Sequence, residues 1–405
     1  MNGPRHGHAA WHAAVVDLLG RSRMAQPDQL AEEINAATQR VGVEITVYLV
    51  DHEQQHLWAL PERGKPTPPS LSIAGTVAGR AFTALRTHTA GDHADAFRLW
   101  VPMVDGAERL GVVEVLARQP AADPDLLRRH CEVLAGLIGH LVTVKMPYGD
   151  TLHLARRTRP MTPAGELMTQ LLPPLTFGCH QMAISAVLEP CYDVGGDAFD
   201  YAVDGSIARV MVLDAMGRGL KAGLTCATAL AALRAARRDG HGLYAMARAA
   251  DAALTEQFPD LRFVTGVLAE LDMDTGRLRY INAGHPAPLL LRQGKAVRHL
   301  PGGRRLPLGI DDSKIEVGEE MLQPHDRLLM YTDGVVEAYD RSGERFGVNR
   351  LVDLAERYAA AGLPSSETLR RLARGVLEHQ IGPATDDATL LLLEWSREAA
   401  ERTQV

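Results

Sequence analysis

In the second half of this 405-residue chain, four short acidic motifs interrupt apolar, strand-like runs: VGGDAFD (194–200), VLDAMGRG (212–219), MYTDGVVE (330–337) and TDDATLLL (385–392). Aspartate is a poor strand former, and a buried carboxylate is costly unless something pairs with it. Where an aspartate directly follows or precedes an apolar strand, its side chain projects from a sheet edge toward a shared cleft. Carboxylates crowded there repel one another, so the arrangement needs cations or raised pKa values. Oxygen-only ligation suits hard cations such as Mg2+ or Mn2+. Gly195, Gly196, Gly217 and Gly219 let backbone approach an ion or a phosphate closely and take positive φ.

The surroundings of the motifs set the fold class. Strand-like runs occupy 181–189, 198–203, 207–213, 261–271, 277–282, 287–292, 326–331 and 388–394, and helical runs occupy 219–238, 243–257, 347–360 and 366–379. Strands at both ends with helical pairs between them predict an α+β sandwich with segregated layers, not a doubly wound βαβ sheet. Before it, DPDLLRRHCEVLAGLIGHLVTVKM carries a helical apolar stripe through Leu126, Leu127, Val133, Leu134, Leu137, Ile138, Leu141 and Val142. A second helical piece is stopped by Pro173-Pro174. The expected organisation is an N-terminal domain at 1–118, a helical connector at 119–174 and the acidic-motif domain at 175–397. The connector reads either as a signal-passing element between two protomers or as an inert spacer.

Net charge is -7, and the basic residues are scattered, which argues against a nucleic-acid surface. No apolar run reaches the roughly 18 residues that span a bilayer, and MNGPRHGHAAWHAAVVDLLG lacks a signal-like apolar core. A cytoplasmic location is the expectation. Cys131, Cys179, Cys191 and Cys226 show no CxxC spacing, so neither a disulfide framework nor a zinc site is indicated. His6, His8 and His12 read as a solvated tail, there being no second ligand cluster nearby.

Residues 12–118 run helix, strand, strand, helix, strand, strand, with Asp105-Gly106 as a tight-turn signal between the last two. On SIAGTVAGRAF (72–82), RLWVPMVDG (98–106) and ERLGVVEVLA (108–117), this region resembles a GAF domain of α/β type. The resemblance implies either a small-molecule pocket or a dimerising module. No cysteine lies here, so thiol attachment of a bilin is excluded.

The four acidic motifs together resemble the metal-dependent Ser/Thr protein phosphatases of the PPM superfamily, in the bacterial SpoIIE/RsbU-like branch. QLLPPL (170–175), INAGHPAPLLL (281–291), LPLGI (306–310), RFG (345–347) and DDATLLLL (386–393) extend the likeness over about 165–395. The resemblance implies a four-layer α-β-β-α sandwich. It implies that Asp197, Asp214, Asp333 and Asp386 ligate two ions, Mn2+ or Mg2+, with the main-chain carbonyl of Ala215 contributing. Asp214 would bridge the ions, and Asp387 ranks behind its neighbour Asp386. The implied chemistry is direct attack of activated water on phosphorus, with no phospho-enzyme. The implied substrate is phosphoserine or phosphothreonine on a STAS-type anti-sigma-factor antagonist, in partner-switching control of transcription, by a homodimer.

His285 is tempting as a proton donor, but NAGH looks like a tight turn, which favours a structural role. The family has His or Lys where this chain has Arg218, which either contacts substrate phosphate or faces solvent. A bulky aromatic is common where Ala198 stands. In CYDVGGDAFDY, Asp193 reads as a solvated turn residue and Asp200 as a hydrogen-bonding support. An aspartyl-phosphate phosphatase would need a nucleophilic Asp two residues before Asp333, where Tyr331 stands. A sensor that binds metal and a partner without turnover is the alternative from a different class.

Overall fold

Some helices in this chain start where a side chain caps them. Asp123 accepts a hydrogen bond from the Leu126 amide (3.0 Å) ahead of the Pro124–Lys145 helix. Thr162 accepts one from Gly165 (3.1 Å) ahead of Pro163–Leu171. Each has proline in its first turn, where the missing N–H would have no partner anyway. The second helix ends at extended Leu172, before the two prolines.

The computed structural model describes residues 7–90, 97–117, 123–189, 192–193, 195–312, 314, 316–380 and 386–396. His6, Cys191, Val194, Thr385 and the first residues of the expected connector (119–122) lie outside them. The chain divides into two units, one running to Arg159 and the other beginning at Pro160.

The first unit is a six-stranded antiparallel sheet. Its strand order is Leu71–Ser72, His56–Ala59, Val43–Val50, Glu108–Ala117, Phe97–Asp105 and His88–Ala90. The Asp105-Gly106 turn joins the Phe97–Asp105 and Glu108–Ala117 strands, with Gly106 at φ +59°. Helices His8–Ser22, Leu30–Thr38 and Pro124–Lys145 cover one face through Trp11, Leu18, Ile34, Leu134 and Ile138. On the other face the Val77–Ala84 helix packs Phe82 with Tyr48, Leu57, Trp100 and Val112. The stretch expected as a connector is therefore shared out. Its long helix is buried on this sheet along Leu127, Leu134, Ile138 and Val142, while Val133 is exposed, and its last helix belongs to the second unit.

Two sheets face each other in the second unit. One runs Arg304–Arg305, Arg277–Ala283, Val264–Asp272, Ile207–Ala215 and Asp197–Asp204, with Gly318–Met321 also on Arg277–Ala283. The other runs Lys295–His299, Leu289–Arg292, Arg327–Tyr331, Ala388–Trp395, Met182–Glu189 and Thr176–Cys179. Phe199, Val210, Val212, Val267, Ile184, Leu391 and Leu393 fill the space between them. Helices Gly219–Arg238 and Leu243–Gln257 cover the outer face of the first sheet, and Gly347–Ala360 and Ser365–His379 that of the second. This is the α-β-β-α layering. The eight expected strands and four expected helices are present, with ends shifted by at most a few residues. The strands Lys295–His299 and Gly318–Met321 and the four-residue helix Asp333–Val336 carry too few apolar repeats to stand out in sequence. Among the described residues no helix is long and apolar enough to cross a membrane, and Cys131, Cys179 and Cys226 are free thiols.

Candidate active site

Strand register places the first two motif aspartates opposite each other. Asp197 opens its strand and is the cross-strand partner of Asp214, so the two side chains share a face with Cβ atoms about 5 Å apart. Thr265 on the next strand is the other partner of Asp214 and extends the row. Gly196 lies against the Ala215 carbonyl, where a Cβ would come within 2.7 Å of the oxygen. Only glycine permits that approach.

Asp197 is 2% exposed and reaches across to the facing sheet. Its Oδ2 accepts hydrogen bonds from Thr332 Oγ1 (2.8 Å) and Thr389 Oγ1 (2.7 Å). Thr332 Oγ1 in turn accepts from the Thr389 amide (2.9 Å), so its hydroxyl both donates and accepts. Thr332 directly precedes Asp333 and Thr389 lies two residues after Asp387, so the bonds tie three of the four motifs together. Asp333 begins a short helix, where the amide ends favour a negative charge. A Cβ on Gly334 would come within 2.0 Å of the Asp387 carbonyl oxygen. The Asp-Gly pair is therefore a close-packing requirement and not merely a turn.

The two aspartates of the last motif divide their work. Asp386 is exposed, with Arg218 Nη2 4.0 Å from its Oδ2. Asp387 Oδ2 accepts from the amides of Gly195 (2.7 Å), Gly196 (2.7 Å) and Asp197 (3.3 Å), and so clamps the glycine loop that presents Asp197.

Electrostatics bind the group into one cluster. Burial, followed by the charges of Asp214 and Asp387, pushes Asp197 well above the ordinary carboxylate range, against the two threonine hydrogen bonds. Burial, then Asp333, Asp386 and Asp387, pushes Asp214 up to about 7. Asp333 is raised by burial and by Asp386, and Asp387 by burial against its three amide bonds. Among the described residues, no three His, Cys, Asp or Glu side chains are gathered closely enough to grip an ion as placed. The donor set nevertheless fits a hard divalent cation: it is all oxygen, and it carries excess negative charge that adds to burial in raising the pKa values.

Residues around the cluster take several roles. His285 is 3% exposed; its amide donates to Asn282 Oδ1 (2.8 Å) and its Nδ1 lies 2.9 Å from Thr265 Oγ1. Burial lowers it to about 4, against a carbonyl contact from Tyr331. It is a neutral imidazole at pH 7, built into the corner behind Asp214. Asp200 is buried and paired with Arg234 (2.7 Å) and Arg237 (2.6 Å), while Arg234 also donates to the Leu171 carbonyl (2.8 Å). Asp193 is exposed. Sequence reasoning does not single out Thr265, Thr332 and Thr389; two of them lie within the TDG and DDAT motifs, but local spacing does not mark their hydroxyls as partners of Asp197.

Comparison with known proteins finds likenesses over this unit. Residues 204–396 match the family described as Stage II sporulation protein E (SpoIIE), a span holding Asp214, Asp333 and Asp386 but starting after Asp197. Protein IcfG of Synechocystis sp. is 24% identical over 257 residues, covering 56% of this chain and 40% of its own length. Phosphoserine phosphatase RsbP of Bacillus subtilis is 25% identical over 163 residues, covering 39% of this chain and 40% of its own. The chain thus spans well under two thirds of each of these relatives. The solved SiaA-PP2C domain of Pseudomonas aeruginosa superposes with a TM-score of 0.50 at 24% identity, over 57% of this chain and 94% of that domain. The C-terminal unit therefore holds a region matching the SpoIIE family on the fold of a PP2C domain.

Proposed function

We propose that the C-terminal unit is a metal-dependent protein phosphatase that hydrolyses phosphoserine or phosphothreonine. The observation that carries this is the convergence of Asp197, Asp214, Asp333 and Asp386, from four distant segments, on one cleft where burial and neighbouring aspartate charges push Asp197, Asp214 and Asp333 upward. Those four side chains, with the Ala215 carbonyl, would hold two divalent cations, Mn2+ or Mg2+. Bound there, the cations would neutralise phosphoryl oxygens and make water acidic enough to attack near neutral pH. The chain's own part is positioning. Asp197 is locked by two threonine hydroxyls, Asp387 fixes the loop before it, and Thr265 and His285 back Asp214. No side chain stands in line as a nucleophile in this reading, so no phospho-enzyme forms.

The substrate we favour is a phosphorylated STAS-type anti-sigma-factor antagonist, placing the chain in partner-switching control of transcription. Support comes from the likeness to RsbP, whose name describes a phosphoserine phosphatase. The first unit is proposed as a GAF-like sensory or dimerising domain of a cytoplasmic homodimer.

Para-nitrophenyl phosphate with Mn2+ tests the chemistry. The parent chain should turn it over, chelator should abolish turnover, and Asp214→Asn or Asp333→Asn should each remove it. Activity surviving both substitutions sinks the assignment, and a parent chain inert with either metal leaves only a binding role.

A further inference from the structure

Beside the carboxylate cleft, large apolar side chains face solvent. Met216, Leu220, Leu224 and Leu261 are 37–65% exposed. Two segments bring them together. The Met216 amide donates to the Phe263 carbonyl (3.1 Å), and Lys221 Nζ pairs with Asp260 (2.6 Å). Leu220 and Leu224 are one turn apart on the Gly219–Arg238 helix and lie on the same side. Leu261 stands at φ +47°, a left-handed conformation uncommon for a side chain of this kind, yet it is 65% exposed. Burial does not compensate that strain, and strained backbone concentrates at binding sites.

Cations edge the same patch. Arg262 is only 15% exposed in its side chain; Asp260 holds its Nε (3.3 Å), and its Nη1 reaches the Met216 carbonyl (3.5 Å) beside Gly217. Arg218, 67% exposed, reaches toward Asp386. Arg218 thus reaches the rim of a carboxylate cleft that would otherwise repel a dianionic phosphate, and Arg262 lies on the Met216–Gly217 backbone that leads from Asp214 to Arg218. A small phosphate ester would use the cations and leave the apolar patch uncovered. A protein would use both.

We propose that this rim docks a folded protein carrying phosphoserine, its apolar surface seated on Leu220, Leu224 and Leu261 and its phosphate flanked by Arg218 and Arg262. The inference rests on the phosphatase reading and adds the surface that selects a protein substrate.

The test uses the full chain with two probes in Mn2+: para-nitrophenyl phosphate and a serine-phosphorylated STAS-domain protein. Leu224→Asp should raise KM for the phosphoprotein about tenfold, as loss of an apolar anchor does, and leave kcat/KM for the small ester within about twofold. Leu261→Gly should raise Tm by relieving the backbone while still raising the phosphoprotein KM, a pairing that a purely structural leucine would not give. Equal losses on both probes, an unchanged phosphoprotein KM, or a changed oligomeric state by light scattering would each overturn the proposal, the last by assigning the face to a second copy. A parent chain that cleaves the small ester but not the phosphoprotein removes the rim's role alone. One that cleaves neither removes the phosphatase reading and the rim with it.

Discussion

Asp197 and Asp214 face each other directly across two antiparallel strands, and each holds its proton well above the pH at which an ordinary aspartate loses it. Like charges opposite one another destabilise a sheet. A pair kept in that position works against stability unless a cation or a proton joins it.

The pH response follows from the sign of the shift. Asp214 titrates at about 7 in the fold against 3.8 in the unfolded chain. Its contribution is present below the unfolded value and is lost as pH rises through about 7. The metal-free parent should therefore lose more Tm than Asp214→Asn between pH 5.5 and 8. The difference between the two proteins isolates this group from the histidines. Protons and cations compete for the same oxygens, so Mn2+ affinity by calorimetry should rise over the same interval. A parent-minus-variant difference that is flat with pH would refute the account.

Thr389 donates a 2.7 Å hydrogen bond to a carboxylate that is almost fully buried. Removing a donor so that a buried acceptor is left unsatisfied costs about 1–3 kcal/mol. Thr389→Val should lower the denaturation free energy by that order, and Thr389→Ser should recover most of it by restoring the hydroxyl. Urea titration of the three proteins checks the ranking.

Asp387 makes its three amide contacts through a single oxygen, Oδ2. An asparagine can offer a carbonyl oxygen at the same place, whereas alanine offers none. Asp387→Ala should slow hydrolysis by roughly 10- to 100-fold, as loss of a group orienting a ligand does, and Asp387→Asn should stay much closer to the parent. If Asp387 acted instead as a metal ligand through charge, the two variants would fall together and Mn2+ binding would weaken in both.

How much was legible in the sequence depended on the range of the interaction. The helices Gly219–Arg238, Leu243–Gln257 and Gly347–Ala360 could be read off because their apolar periodicity is local. The four aspartates could be read because each interrupts an apolar run with a residue that a strand does not favour. What joins them was hidden. Thr332 and Asp197 lie 135 residues apart and Thr389 and Asp197 lie 192 apart, so nothing in a local window marks the hydroxyls as partners of the carboxylate. The helix Pro124–Lys145 shows the converse. Its stripe reads equally as a free connector or as core, and only the sheet beneath it, where a Cβ on Gly139 would come within 2.4 Å of the Val104 carbonyl oxygen, makes it core.

Arg305 and Asp251 form a buried, two-pronged pair (3.1 and 2.9 Å) whose carboxylate also accepts from the Gly309 amide (2.9 Å). It fastens the LPLGI segment to the Leu243–Gln257 helix. Leu308 then pairs with Val264, the residue before Thr265 in the row that backs Asp214. Replacing one partner leaves the other charge buried, which costs about 3–5 kcal/mol, whereas replacing both with apolar residues of similar size is often close to neutral. Arg305→Met alone should therefore destabilise strongly, and Arg305→Met with Asp251→Leu should recover much of the loss even though it removes a second polar group. The recovery should be incomplete, because the Gly309 amide then lacks its acceptor. Chemical denaturation of the double-mutant cycle measures the coupling. Additive losses would show that the pair is held by its surroundings and does not itself hold the loop.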